Sequence, residues 1–162
     1  MSEHHETPPL AAALGRIPSG LFIVTLSASG HETGMLASWL QQCSFEPPQI
    51  SVAIKRERDL VNHLKPGARF MVNILDSTQT NILIHFGKGF APGQPAFEGL
   101  DVSRPAGSPP VLNDALAFLE CRVVERFPAG DHELLIGQVT GGKVLSETGQ
   151  PMVHIRKSGL NY

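Results

Sequence analysis

The chain has 162 residues, 41% hydrophobic and 17% charged, with a formal net charge of −2, which fits one compact domain able to bury a core and excludes disorder along its whole length. A pI near 6.4 gives no electrostatic basis for gripping nucleic acid or an acidic membrane surface. No apolar run approaches the roughly 20 residues that span a bilayer, and Met1-Ser2-Glu3-His4-His5-Glu6 lacks the basic-then-apolar order of a signal peptide, so the expectation is a soluble cytoplasmic protein without a membrane or nucleic-acid partner.

Residues Met1 to Pro9 are polar, carry two prolines and read as a flexible tail ahead of a single domain over residues 10–162. His4-His5 has no third or fourth ligand nearby to make a metal site. Leu10 to Ile17 has room for a short helix, stopped by Pro18-Ser19-Gly20. Leu21 to Ala28 is a β-branched and aromatic run of strand length, and the turn Ser29 to Gly34 feeds a second, hairpin-paired strand. That strand, from Gly34 through Ser44, is rich in small and hydroxyl residues and ends at a rigid corner, Pro47-Pro48. Beyond the corner, Ile50, Val52 and Ile54 alternate with Gln49, Ser51 and Ala53, the period-two signature of a strand with one face inward.

Asp59 is placed to cap a short helix, Leu60 to Lys65, ended by Pro66-Gly67. Phe70 to Leu75 returns as a strand with a polar Asn73 in apolar surroundings. Asp76 or Ser77 then caps a helix through about His85, with Ile82, Leu83 and Phe86 at helical spacing. Between Gly87 and Asn113, glycine and proline are dense, which predicts a lid or a dimer-facing excursion. Leu116 to Arg126 and Glu133 to Val144 are strand-like runs about a hairpin turn at Pro128 to His132, and Met152 to Arg156 is a final short strand. Hairpin-connected strands with only a few short helices predict a mainly β protein built as an antiparallel barrel. No G-x-G-x-x-G is present, and Gly87-Lys88-Gly89 lacks the P-loop spacing.

The chemistry-bearing candidates cluster around the central stretch. Lys55-Arg56-Glu57-Arg58 is the one dense cationic patch, set where a strand runs into a helix start, and it can hold a phosphate or simply be a solvated charge run. Ser38, Ser44 and Ser51 can offer hydroxyls along one groove. Trp39 and Asn73 are either core or, respectively, a flat face for a ring system and a buried amide needing partners. His132 follows Asp131 in a turn, where it can orient a ligand or cap the turn. Cys43 and Cys121 lie far apart among apolar neighbours and read as buried reduced thiols in preference to a disulfide or a nucleophile. No paired-carboxylate spacing and no G-x-S-x-G elbow supports a hydrolase.

The series Arg16-x-Pro18-x-Gly20, Gly34-Met35-x-Ala37-Ser38, Ser44-x-x-Pro47-Pro48, Lys55, Phe70-x-Val72-Asn73-x-Leu75, Phe86, Phe97, Leu119-x-Cys121 and Gly130-Asp131-His132 resembles the flavin reductase-like family of FMN-binding split barrels. Gly34 to Trp39 is especially similar to the flavin reductase module of diflavin flavoproteins. The resemblance implies an antiparallel Greek-key split β-barrel, homodimeric, binding FMN, with FAD as an alternative, at or near the subunit interface. Under it, Ala37, Ser38 and Trp39 flank the ribityl chain and ring, Cys43 and Ser44 meet the pyrimidine edge, and Ser51, Lys55 and Arg58 hold the phosphate. Asn73 and Phe86 line the pocket, and His132 helps receive NADH or NADPH. Two stretches depart from the family pattern: Leu36 stands where Thr or Val is commoner, and Arg56-Glu57-Arg58 replaces small Ser or Thr residues of the phosphate loop. The implied activity is NAD(P)H:flavin oxidoreduction, serving an oxygenase or other electron acceptor. Two rivals remain: an FMN-binding electron carrier without a nicotinamide site, and a split barrel for another ligand such as heme, held by His85 or His132.

Overall fold

The computed structural model describes residues 7–161. Most of the expected tail, residues 1–6 with His4-His5, lies outside the described residues, as does Tyr162. In chain order the strands are β1 (Ser19–Gly20), β2 (Phe22–Ala28), β3 (His31–Ala37), β4 (Leu40–Phe45), β5 (Pro48–Lys55), β6 (Arg69–Ile74), β7 (Val102–Ser103), β8 (Val111–Leu112), β9 (Ala117–Ala129), β10 (His132–Val144) and β11 (Val153–His154). Two α-helices, α1 (Pro9–Gly15) and α2 (Thr80–Gly87), and 3-10 turns at Asp59–His63 and Pro105–Gly107 complete the described elements.

Seven strands form one sheet in the order β3-β2-β6-β9-β10-β5-β4, every pair antiparallel. Its two edges, β3 and β4, are consecutive in the chain and joined only by Ser38-Trp39, so the sheet curls back on itself and the chain crosses its own seam. This is the expected antiparallel Greek-key split barrel. The β5 alternation holds: Ile50, Val52 and Ile54 are buried and the residues between them are not. They meet Val24, Leu26, Phe70, Val72, Val123 and Leu135 inside the barrel. Each such aliphatic burial contributes about 1.5–3 kcal/mol relative to exposure.

A second core lies outside the barrel wall, where Leu21, Ile23, Leu75, Ile82, Phe86, Ala96, Leu112 and Met152 pack together. It is closed by the glycine- and proline-rich excursion, which carries the small β7–β8 ladder and is tied down by packed side chains and by the paired charges of Arg104 and Glu32. The excursion is packed in part: Ala96 and residues 108–112 are buried, while Gly89, Phe90, Pro92 and Gly93 border a cavity between β3 and α2.

Five local expectations are corrected. The stretch after Gly34 is two strands broken at Ser38-Trp39, because the chain must change sheet edge there. Asp59 makes no capping hydrogen bond, and its helix is a 3-10 turn ending at His63. Asp76 does not cap α2 either: its carboxylate accepts from the Thr78 amide and hydroxyl at 2.9 and 2.7 Å and from the Gln150 amide at 3.0 Å, closing a turn ahead of Thr80. The final strand shrinks to Val153–His154, paired with Ser19–Gly20. Cys121 is buried as expected, whereas Cys43 is exposed, since it is the extra residue of a bulge on the sheet edge.

Candidate functional site

A cavity of about 450 Å³ opens between β3, the end of β5, the Asp59–His63 turn and α2. Its formation follows from local chemistry. Gly34, buried on β3, lets Phe86 of α2 approach the sheet: a Cβ on Gly34 would lie 2.8 Å from Phe86 Cε1. Small residues in β3 and the short Ser38-Trp39 crossing leave room beneath the seam. Met35, Leu36, Ala37, Leu60, Leu83, Phe86 and Phe90 supply apolar wall, and Lys55 and Arg58 stand at its edge with His31, His63 and His154.

The β4–β5 ladder carries Trp39 opposite Ala53, whose amide donates to the Trp39 carbonyl at 2.9 Å. β10 sets His132 opposite Lys55, and the His132 ring sits 4.7 Å from the Trp39 ring. The Arg156 guanidinium lies 5.0 Å from the same indole, a cation–π contact. Trp39, His132, Lys55 and Arg156 thus form one cluster drawn from four separate segments of the chain.

His132 is buried, and its Nδ1–H donates to Asp131 Oδ1 at 2.7 Å. That bond holds the Asp131 carboxyl below its ordinary range and fixes the ring's tautomer and orientation. Lys55 Nζ lies 2.9 Å from Glu57 Oε1, and the hydrogen bond from Lys55 likewise lowers the Glu57 carboxyl. Arg56 is committed to Glu133 at 2.9 Å, a carboxylate shared with Arg126 at 3.2 Å. Arg58 lines the cavity and makes no ion pair among the described residues.

Of the expected ligand contacts, Ala37, Ser38, Trp39, Lys55, Arg58 and Phe86 come together on this cavity. Cys43, Ser44 and Ser51 stand on β4 and β5 away from its lining; the Ser51 hydroxyl donates to the Gln41 carbonyl at 3.4 Å. Asn73 is fully buried elsewhere, donating to the Ile23 carbonyl at 3.0 Å and accepting from the Leu112 amide at 2.8 Å. Its amide pins the excursion to β2. His132 is set just behind the lining, against Trp39. His85, the other residue considered for heme, hydrogen-bonds the Ala96 carbonyl through Nε2 at 2.8 Å and does not line the cavity. Among the described residues no cluster of three or more metal-ligating side chains exists.

Sequence reasoning missed His154, His63 and Phe90. His154 reaches the cavity only through the β1–β11 pairing, a contact that no local signal announces. A glycine on a strand facing apolar residues was the available hint for the α2 approach.

Three comparisons bear on this arrangement. A family model described as flavin reductase like domain matches residues 14–159. Diflavin flavoprotein A 1 of Synechocystis sp. is 41% identical over 154 residues, covering 94% of this chain and 27% of that protein, so the chain spans about a quarter of the length of this relative. Among solved structures, the Streptomyces globisporus NADH:FAD oxidoreductase SgcE6 shares the fold at a TM-score of 0.82 and 24% identity, covering 89% of this chain and 85% of that one. The styrene monooxygenase flavin reductase of Pseudomonas putida superposes with a TM-score of 0.77 at 26% identity, covering 89% and 90%. No helix among the described residues is long and apolar enough to cross a membrane.

Proposed function

This chain belongs to the flavin reductase-like family, and from that membership and the cavity beside Trp39 we infer that it is an NAD(P)H:flavin oxidoreductase that transfers a hydride from a nicotinamide nucleotide to FMN. The observation that carries this is the cavity: about 450 Å³, within the roughly 300–1,000 Å³ of small-molecule sites, apolar along β3 and α2, and cationic at Lys55 and Arg58. Such a lining suits a flat ring with an anionic tail. FMN, when bound, supplies the ring that accepts and passes on the hydride.

The chain's own residues then bind, orient and exclude water. Lys55 and Arg58 hold the phosphate, and Ala37, Ser38 and Trp39 flank the ring and ribityl chain. Phe86 and Leu83 close the apolar side. His132 acts through Trp39: its bond to Asp131 fixes the imidazole, and the imidazole fixes the indole face. Positioning a donor at near-attack distance is the protein's main contribution to such a reaction, and no obligatory acid or base is assigned. We place the protein in the cytoplasm, as its two cysteines are unpaired. We further propose a homodimer, because Phe45, Ile84 and Val153 are 89%, 76% and 66% exposed. The electrons go to an oxygenase or another acceptor.

The test is direct. Purified protein with FMN should oxidise NADH or NADPH, and Lys55→Ala should weaken FMN binding about tenfold while leaving riboflavin, which lacks the phosphate, unaffected. Failure of both nicotinamides to reduce bound flavin, with rapid reduction by a protein donor, would replace this function with that of an electron carrier.

A further inference from the structure

The run Lys55-Arg56-Glu57-Arg58 offers three cations, yet of these only Lys55 and Arg58 line the cavity. Arg56 is drawn off by Glu133, whose Oε1 accepts from Arg56 Nε at 2.9 Å and whose Oε2 accepts from Arg126 Nε at 3.2 Å. The Arg126 guanidinium is a bridge: its other arm, Nη1, donates to the Val61 carbonyl at 2.8 Å. Neither Arg126 nor Glu133 lines the cavity. With side chains 25% and 14% exposed, both are sheltered enough from water for these charge-assisted bonds to hold one geometry.

From Val61 the grip runs back along the segment to the cavity. The Val61 amide donates to the Arg58 carbonyl at 3.0 Å, and the Arg58 amide to the Lys55 carbonyl at 3.1 Å. The Arg56 amide donates to the Asp131 carbonyl at 3.1 Å, which joins the exit of β5 to the β9–β10 hairpin. Leu60, Val61 and Leu64 are buried and press the turn against the barrel core, but burial is non-directional. A guanidinium fork shared by a carboxylate and a carbonyl is directional, so it sets how the turn is rotated above that core.

We propose that Arg126 and Glu133 are positioning residues that set the phosphate end of the cavity: they hold the turn at Val61 and turn Arg56 aside, so that Lys55 and Arg58 are the members of the cationic run presented to the ligand's phosphate. That this ligand is a flavin rests on the flavin reductase function, whereas the brace belongs to the fold. Net charge and position pull in opposite directions at Glu133. Removing its negative charge would make this end more cationic and release Arg56, which on charge alone tightens an anion. Through position, the same change loosens the anion's seat.

The experiment titrates the full-length variants R126Q, R126K and E133Q with FMN and with riboflavin, which lacks the phosphate, and follows amide hydrogen exchange across residues 56–64. In all three variants the Kd for FMN should rise about tenfold, while that for riboflavin stays within about a factor of two. Lysine fails at position 126 because one ammonium cannot reproduce the planar fork that reaches Glu133 and Val61 together. The Val61 and Leu64 amides should exchange faster, and those of β6 should not. Tighter FMN binding by E133Q assigns the effect to charge and overturns the proposal. Equal losses for FMN and riboflavin, or an R126K protein that matches the wild type, overturn it as well. A wild type that binds no flavin removes the reductase function, and exchange over residues 56–64 then decides the brace: faster in R126Q sustains it, unchanged overturns it.

Discussion

Substituting Gly34 by alanine tests how the cavity is framed. Gly34 is buried opposite Thr25 in the β2–β3 ladder, and its backbone is not in the left-handed region, so alanine meets no conformational penalty there. The obstacle is space. The new methyl would lie 2.8 Å from Phe86 Cε1, 3.2 Å from Phe97 Cζ and 3.4 Å from Ile23 Cγ2, against an optimum of about 3.5–4.0 Å between carbons. Phe86 cannot swing aside, because it is 2% exposed and its ring lies 4.8, 5.7 and 5.8 Å from those of His85, Phe90 and Phe97. Relief therefore requires α2 to move off β3 by roughly half an ångström or more.

Overpacking of this kind costs about 1–3 kcal/mol, offset by about 0.5–1 kcal/mol from replacing glycine within a strand. The net loss of about 1–2 kcal/mol corresponds to a fall in Tm of roughly 2–8 °C for a chain this long. Since Gly34 and Phe86 both line the cavity, FMN affinity should fall with stability. Urea denaturation and flavin titration of Gly34→Ala, Phe86→Leu and the double variant measure it: removing Cε1 relieves the clash, so the double variant should recover about 1 kcal/mol relative to additivity. A Gly34→Ala protein that melts at or above the wild-type temperature and binds FMN equally well would refute the reasoning.

Other outcomes follow from single contacts. Asn73→Leu strands the Ile23 carbonyl and the Leu112 amide in the core, and should cost about 2–4 kcal/mol by urea denaturation; a loss well under 1 kcal/mol would mean that water reaches the site. A thiol probe should label one cysteine in the native protein and two after unfolding, because Cys43 is exposed while burial, with a smaller contribution from Glu120, pushes the Cys121 thiol up to about 12; rapid native labelling of both would contradict the fold. The Arg104 guanidinium, which donates to both Glu32 oxygens, holds that carboxyl below its ordinary 4.5. A depressed carboxyl adds stability above its unfolded pKa and loses it as pH falls through the folded one. Glu32→Gln should therefore be less stable by about 0.5–1 kcal/mol at neutral pH, a figure kept small by solvent screening, and the gap should close at pH values below the depressed pKa; a gap that persists in strong acid would assign the effect to packing.

Much of the barrel was legible because its information is local. The β5 alternation, the apolar run of β2 and the turn at Gly130-Asp131 each specify a strand or hairpin without reference to distant residues. What was illegible depends on closure. Gly34 to Ser44 has uniform strand propensity, and only the meeting of the sheet's two edges explains the break at Ser38-Trp39. Asp59 and Asp76 precede helical residues as caps do, yet the carboxylate of Asp76 is engaged by Gln150, a partner that arrives from far along the chain. The cationic end of the site could be read from composition. The arginine over Trp39 could not, since Arg156 reaches it only through the packing of the C-terminal segment on α1.

That late arrival has a bearing on how the protein matures during synthesis. Strands emerge from the ribosome in order, N-terminal first, so the Ser19–Gly20 edge waits for Val153–His154 while the rest of the barrel can already assemble. One wall of the cavity, at His154, is supplied by β11 and so is made after every strand of the seven-stranded sheet. A chain cut short before Val153 should therefore assemble the seven-stranded sheet yet lack this wall of the cavity.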